Sequence, residues 1–547
     1  MFKKLSGQLL LAAAGGTLMF FAFPNDFSPT GFPPLAFFAL VPLLFALEGA
    51  TRPGRAAFIG FFFGLVTHPA QYHWLVYTMN TYGQMSVPVS VLVLIAMVLA
   101  LSGFTAGFGL LYHLLRKNGL SPLLAAPVAW TALDFIRAHF PFGGFPWNFP
   151  ANSQVSWLSL IQIAEFTGPY GITFVLLLVN AALLMTGERL YQMLRQPHSP
   201  NSNFKIQNSV FRALFPLGLA AGFMLVLVIY GLIRIPLVDR AFADQPEFTL
   251  GIVQGNVDQN EKWSQALQKT LDLHLELSGE LMSGRPDLVI WPEAAVTVVN
   301  FNERWKHRHF DPDQVVNQLA RVKAYFLVGS VSLERGATRE DSRVFNSAYL
   351  LSPNAEHMLA RYDKMRLVPF SEYVPLSKIF FFADAIAQGH AGSTTPGDKV
   401  AVMEMPGLRF GCVICYELVF PHLVRKFARE GAVFMTTITN DAWFGKTGAP
   451  YQHHSNAILR AIENRVFFAR SANTGVSSIV DPVGRVLVAT DIYTEAAVIG
   501  KVRPSPIKTF YARRGDVFAG LNLAGLGLAL ILGFIKSRRE KPRGLQT

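Results

Sequence analysis

Apolar runs long enough to cross a bilayer succeed one another through the first 236 residues: 6–24, 34–50, 56–78, 87–115, 121–139, 156–187 and 211–236. A helix needs about 20 such residues to span the hydrocarbon layer. An eighth run, VFAGLNLAGLGLALILGFI, covers 517–535. Between 237 and 514 the pattern changes to that of a water-soluble domain. Short runs rich in β-branched and aromatic residues predict strands over 248–257, 287–293, 324–333, 343–352, 408–416, 432–440, 467–475 and 476–482. Amphipathic stretches predict helices over 261–283, 312–323, 420–430 and 451–464. Strands alternating with helices predict an α/β domain of layered sheets and helices. The expected organisation is therefore a membrane α-helical bundle of eight transmembrane helices plus one α/β domain. Seven helices fill 1–236, the α/β domain fills 237–514, and the eighth helix with a basic tail fills 515–547. GFFFG (60–64) and GFTAG (103–107) are candidate sites of close helix packing.

Charge gives this pattern a direction. Lys3 and Lys4 precede the first run, Arg52 and Arg55 follow the second, and Arg116 and Lys117 follow the fourth. Arg189, Arg195, Lys205 and Arg212 lie between the sixth and seventh, and Lys536, Arg538, Arg539, Lys541 and Arg543 follow the eighth. The loops NDFSPTGFPP (25–34) and NTYGQMS (80–86) carry no Lys or Arg. Positive charge stays on the cytoplasmic side, so this alternation predicts cytoplasmic termini and an outward-facing 237–514, which implies a periplasm. The first run, which follows two lysines, has no small-x-small cleavage site after it and reads as an uncleaved helix.

A hydrophobic content of 51%, a charged content of 15% and a net charge of +12 fit the same picture. The basic residues cluster beside apolar runs, which argues for membrane topology and against a nucleic-acid partner. Two cysteines exclude a disulfide framework.

Those two, Cys412 and Cys415, form a C-x-x-C in GCVICYELVF (411–420). On a strand, positions three apart point to opposite faces with Cα atoms about 10 Å apart, too far for a disulfide, which needs about 7 Å or less. A redox pair would put β-branched Val413 and Ile414 into a helix. A zinc site lacks a second cysteine pair, leaving only His453 and His454 as further ligands. The favoured reading is a lone nucleophile, Cys415, at a strand-to-helix turn with Cys412 buried behind it; two packed core cysteines are the alternative. A thiol nucleophile needs a group to take its proton and donors for the oxyanion. DLVIWPE (287–293) ends a hydrophobic strand in Glu293, walled by Trp291 and Pro292, and RYDKMRLVPFSEYVP (361–375) offers Lys364 and Glu372.

WPE, YDKxxLVPFxEYVP and CxxCYE, in this order, resemble the nitrilase superfamily of Glu–Lys–Cys enzymes, and within it the membrane-embedded apolipoprotein N-acyltransferase branch. TNDAWFG (439–445), RAIENRVFFARSANTG (460–475) and GFPW (144–147) carry the resemblance further. In place of the Gly-Tyr pair common soon after GFPW stands NFPANSQ, so that loop's share in substrate contact is open. The resemblance implies an αββα sandwich, with Cys415 as nucleophile, Glu293 as general base and Lys364 as oxyanion stabiliser. Glu372, Tyr416 and Glu417 would support them, the Tyr416 N–H joining Lys364 at the oxyanion. Trp263, Trp443 and Trp147 would contact substrate; for tryptophans at a membrane surface the alternative is interfacial anchoring. Asp134 and Arg137, one helical turn apart, are expected to pair.

The implied reaction has two steps. Cys415 takes an acyl chain from a phospholipid, phosphatidylethanolamine being typical, and the thioester passes it to the α-amino group of an S-diacylglyceryl-cysteine apolipoprotein. No metal or organic cofactor is expected, and the protein is expected to act as a monomer in a bacterial inner membrane. Rival readings are a membrane-tethered amidase acting on a small C–N substrate, a transporter or scaffold with a degenerate domain, and a C-x-x-C oxidoreductase. Only the last makes Cys412 essential.

Overall fold

The computed structural model describes residues 4–195, 203–258, 267–297, 317, 319–334, 336, 341–353, 357–374 and 394–539. Its contacts divide the chain into two units. One comprises Met1–His73, Leu92–Ile233 and Asp516–Thr547; the other comprises Trp74–Val91 and Arg234–Gly515.

The first unit is helical. Five described helices are long and apolar enough to span a membrane: Leu5–Ala22, Val87–Lys117, Pro169–Arg195, Val210–Ala243 and Val517–Arg538. The other expected spans form shorter or more polar helices. Run 34–50 splits into a 3-10 turn, Pro33–Phe37, and a helix Val41–Glu48 whose first turn holds Pro42. Run 121–139 gives the 16-residue helix Pro122–Arg137. Helix Pro53–Tyr72 has 20 residues but carries Arg55, His68 and Gln71. Run 156–187 opens with two four-residue helices and becomes continuous only at Pro169, after Gly168 takes a positive φ of 62°.

Polar side chains of this unit tie its helices to one another and to the backbone. The Asn180 amide donates to the Ala36 and Leu176 carbonyls at 2.8 Å each and accepts from the Leu40 N–H at 2.9 Å. Glu48 accepts from Tyr112 and from Arg116, both at 2.6 Å. Asp134 and Arg137 pair at 3.2 Å, as the sequence led us to expect. Of the two glycine pairs, GFFFG packs tightly: a Cβ on Gly60 would overlap the Thr105 carbonyl. In GFTAG, Gly103 faces open space and Gly107 meets only an ordinary van der Waals contact, so the intimate partner on helix Val87–Lys117 is Gly109, against the Ala56 carbonyl.

The second unit is built on two mixed sheets. The first has the order β13-β1-β2-β4-β5-β6, with β3 (Val296–Thr297) beside β4. Its members are β1 (Phe248–Gln254), β2 (Leu288–Ile290), β4 (Tyr325–Glu334), β5 (Arg343–Leu351), β6 (Met358–Asp363) and β13 (Ala496–Val502). The second sheet runs β12-β11-β10-β9-β8-β7. It comprises β7 (Val402–Met405), β8 (Leu408–Ile414), β9 (Phe434–Thr439), β10 (Phe468–Ala472), β11 (Ser478–Val480) and β12 (Val486–Ala489).

β8, β9 and β10 are parallel neighbours at the centre of that sheet, and every residue of β9 and β10 is buried. Buried parallel strands read as continuous rather than alternating apolar runs, which is why 408–416, 432–440 and 467–475 stand out in the sequence. β6, β7, β12 and β13 do not. MLARYD and AAVIGKV are half-exposed strands in which charges or glycine interrupt the pattern.

Helices Leu267–Glu280 and Pro421–Arg429 fall within two expected helices, and Ala449–Asn464 covers a third, starting two residues before the expected 451–464. Residues 261–266 of the first, and 312–316 and 318 of the expected helix 312–323, lie outside the described residues.

Candidate active site

Four strands of the second unit end at one place. Glu293 follows β2, Lys364 follows β6, Cys415 follows β8 and Asn440 follows β9. Carboxyl ends of strands are where α/β sheets expose backbone and side chains for chemistry.

Cys415 begins a 3-10 turn, Cys415–Val419, between β8 and helix Pro421–Arg429. Its φ is 53°, a left-handed conformation costly for any residue with a Cβ. Glu417 stabilises the turn by accepting from the Ile414 N–H at 2.8 Å. Cys412 sits three residues back within β8, fully buried opposite Thr436, and both cysteines are free thiols.

Lys364 is 1% exposed, and its Nζ lies 2.9 Å from Glu372 Oε1 and 3.5 Å from Glu293 Oε1. Asn346, in mid β5, bridges the same two acids, donating to Glu293 Oε1 at 2.7 Å and to Glu372 Oε1 at 3.3 Å. The other Glu293 oxygen accepts from the Asn440 N–H at 2.9 Å, and the other Glu372 oxygen from the Val368 N–H at 2.8 Å. Glu293 is thus held at both oxygens beside an ammonium, with Trp291 fully buried two residues earlier.

Burial alone would push the Lys364 pKa down; Glu372 first, then Glu293 and Cys415, outweigh it and raise the pKa above the ordinary lysine value, so Lys364 is a fixed cation. Cys415 behaves differently. Its thiol is raised well above the ordinary value, chiefly by burial and then by the Glu293 carboxylate, and the opposing pull of Lys364 does not reverse this. A resting thiolate is therefore not what the site holds. The proton must leave during attack, toward a nearby base.

Glu417, fully buried, takes four backbone or hydroxyl donors: the N–H groups of Ile414, Met365 and Arg366 and the Tyr362 hydroxyl, all at 2.7–2.9 Å. It ties the turn of Cys415 to the loop that carries Lys364. Tyr416 is buried beside Cys415, its ring edge-on to Phe420 at 5.0 Å.

The tryptophans separate. Trp443 is half-buried in the 3-10 turn Asp441–Phe444, next to Asn440. Trp147 belongs to the first unit, 2% exposed, stacked with Phe145 and with its carbonyl accepting from Tyr72 and Arg137. Trp263 lies outside the described residues.

Sequence reasoning missed Asn346, Asn440 and a buried ionic set of Asp441, His453 and Arg470. Asn346 left a trace, an amide in the middle of an otherwise apolar strand. It also missed that Trp74–Val91, taken as the end of one membrane span, a loop and the start of the next span, belongs to the second unit. Thr78 donates to the Trp443 carbonyl at 2.6 Å, Tyr82 meets the Trp443 ring edge-on at 5.1 Å, and Trp74 meets Phe444 at 4.8 Å.

Residues 15–182 match the Apolipoprotein N-acyltransferase N-terminal domain family, and residues 249–511 match the Carbon-nitrogen hydrolase family, whose fold the two-sheet unit shares. Over its whole length the chain is similar to the apolipoprotein N-acyltransferase of Geobacter metallireducens, with 35% identity covering 96% of this chain and 95% of that one. The apolipoprotein N-acyltransferase of Azotobacter vinelandii is 30% identical over 95% of this chain and 94% of its own.

Proposed function

This chain belongs to the apolipoprotein N-acyltransferase family, and from that premise we propose that it moves a fatty acyl chain from a phospholipid to the N-terminal amine of diacylglyceryl lipoproteins through a thioester on Cys415. The observation that carries the reading is the convergence of Cys415, Glu293 and Lys364 at the ends of three strands, each less than a tenth exposed.

In the first half-reaction Glu293 takes the Cys415 proton as sulfur attacks the ester carbonyl. The oxyanion forms against the Lys364 ammonium and the Tyr416 N–H. Collapse releases the lysophospholipid alkoxide, which regains the proton from Glu293, and leaves the thioester. In the second half the lipoprotein amine attacks the thioester, Glu293 takes the amine proton and returns it to the departing sulfur, and an amide remains. A thioester is reactive to amines yet persists where water is excluded. The raised Cys415 thiol supports proton transfer concerted with attack, and Asn346 and Asn440 orient the base. Glu372 holds Lys364, Glu417 holds the two loops together, and Trp443 walls the acyl site.

For the rest of the molecule we propose eight spans, with the five long apolar helices completed by the shorter ones, both termini cytoplasmic and 237–514 facing the periplasm. Phosphatidylethanolamine is the proposed donor and the working form a monomer.

The test is intact mass after incubation with phosphatidylethanolamine and no acceptor. The expected result is a gain of one fatty acyl mass, labile to hydroxylamine, absent in Cys415→Ala and discharged by a diacylglyceryl-cysteine peptide. Folded wild-type protein that gains no mass would overturn the reading in favour of an amidase of small substrates.

A further inference from the structure

His453, fully buried on helix Ala449–Asn464, touches the nucleophile's turn with one ring nitrogen and an ion pair with the other. Nε2 lies 3.1 Å from the Cys415 carbonyl oxygen and Nδ1 lies 3.0 Å from Asp441 Oδ1. A peptide carbonyl only accepts, so Nε2 carries the hydrogen whatever the state of Nδ1. The imidazole is fixed from behind. Arg470, also fully buried, pairs with Asp441 Oδ2 and brings Nη2 to 3.2 Å from His453 Nδ1, and Thr439 donates to Asp441 Oδ1 at 3.1 Å.

In front stands a backbone that needs holding. Cys415 adopts its φ of 53° without being glycine, a conformation that persists where surroundings over-determine it. Its carbonyl shares a peptide plane with the Tyr416 N–H, and in a trans peptide the two point in opposite directions. Whatever anchors the Cys415 oxygen therefore aims the Tyr416 N–H away from that anchor.

We infer that His453 is a positioning residue. By holding the Cys415 carbonyl it fixes the peptide whose opposite edge donates the Tyr416 N–H to the oxyanion, and it keeps Sγ on the side of Glu293 and Lys364. This rests on the reading of Cys415 as nucleophile. His453 touches no reacting atom and carries no proton in the reaction; Asp441 and Arg470 act through it.

Two substitutions separate this from a merely structural role. In His453→Gln the amide nitrogen reaches the depth of Nε2 and keeps the donor to Cys415. In His453→Asn it reaches only the depth of Nδ1, keeping Asp441 and losing the carbonyl. For thioester formation by the full-length protein, kcat is expected to fall about 100-fold in the Asn variant, a loss typical of a misplaced oxyanion donor. KM for the phospholipid should stay within about threefold, because the interaction matters in the transition state alone. The Gln variant should stay within about tenfold of wild type, a misplacement smaller than loss of the donor.

Alkylation of Cys415 by iodoacetamide, read by mass, should follow the same order, and it needs no acyl transfer. Absence of a wild-type acyl adduct would therefore count against the nucleophile reading, while the alkylation order would still decide the clamp. Equal losses in two variants that melt like wild type would overturn the inference, as would a loss confined to KM or an Asn variant better than the Gln one. Should the Asn variant not fold, a folded Gln variant decides: activity within tenfold sustains the clamp, and a hundredfold loss overturns it.

Discussion

The helical unit and the two-sheet unit both bury polar side chains, but they use them differently. In the helical unit Asn180 spends its amide on three backbone groups, and Glu48 takes a hydroxyl and a guanidinium. Each is a knot between helices. In the two-sheet unit two carboxylates, Glu293 and Glu372, share one ammonium and one amide. That cluster is short of positive charge by design of its neighbours, and such an imbalance suits proton transfer better than it suits stability. The contrast distinguishes polar groups that close hydrogen bonds from polar groups that remain ready to change state.

The sharpest way to break the comparison is Lys364→Met. It removes the ammonium that touches both acids and should cost about 10³-fold in thioester formation, the upper end for an oxyanion donor. It should also lower stability by about 3 kcal/mol, because the buried Glu293 and the half-buried Glu372 lose their shared partner; chemical denaturation in detergent measures this. A variant that kept near-normal acylation would show the cluster to be structural, like the knots of the helical unit.

A pH titration sharpens the contrast next. Burial would raise the Asp441 carboxyl, but Arg470 and His453 win and hold it down at about 2, below its ordinary 3.8. A carboxyl depressed in the folded state contributes stability above its unfolded pKa and loses it as pH falls from about 4 toward 2. The contribution at neutral pH is about 2 kcal/mol. Urea melts between pH 6 and pH 2.5 should show Asp441→Asn losing less on acidification than wild type does. Parallel curves would refute the ion pair's role.

In the helical unit, Asn180→Leu should cost about 2 kcal/mol by leaving backbone groups unpaired, read as an earlier thermal melt, with acyl transfer at room temperature unchanged. Loss of activity in a folded variant would blur the distinction between knots and reactive clusters. The smallest effect belongs to Cys412→Ser. The thiol lies 3.7 Å from the Val413 carbonyl, away from the reacting groups, and acylation should stay within about twofold, as for a substitution that leaves those groups in place. Abolished activity in a folded protein would revive the redox reading of the C-x-x-C.

Much of the site was legible because strand ends punctuate a sequence. Trp-Pro-Glu after a hydrophobic run and Cys-Tyr-Glu after another mark where buried backbone turns out, and those turns converge. What was not legible is what depends on distant pairing. Asp441, His453 and Arg470 are 12 and 29 residues apart from first to second and first to third, and nothing local tells an ion-paired histidine from a solvated one. The state of the Cys415 thiol was hidden for a related reason: a neighbouring lysine is visible in a motif, whereas the depth of burial that overrides it is not. Where an apolar run forms shorter helices than its length suggests, prolines such as Pro42 and Pro169 start helices afresh inside it.

Trp74–Val91 gives the two-sheet unit a piece of chain from far upstream, with Tyr82 on Trp443 and Trp74 on Phe444. Excising 237–514 as a stand-alone enzyme would therefore strip aromatic cover from the turn that follows Asn440, the residue whose N–H steadies Glu293. The natural boundary of this enzyme is not a cut site in the sequence. A functional fragment would have to be assembled from two peptides, and the shorter of them would be eighteen residues long.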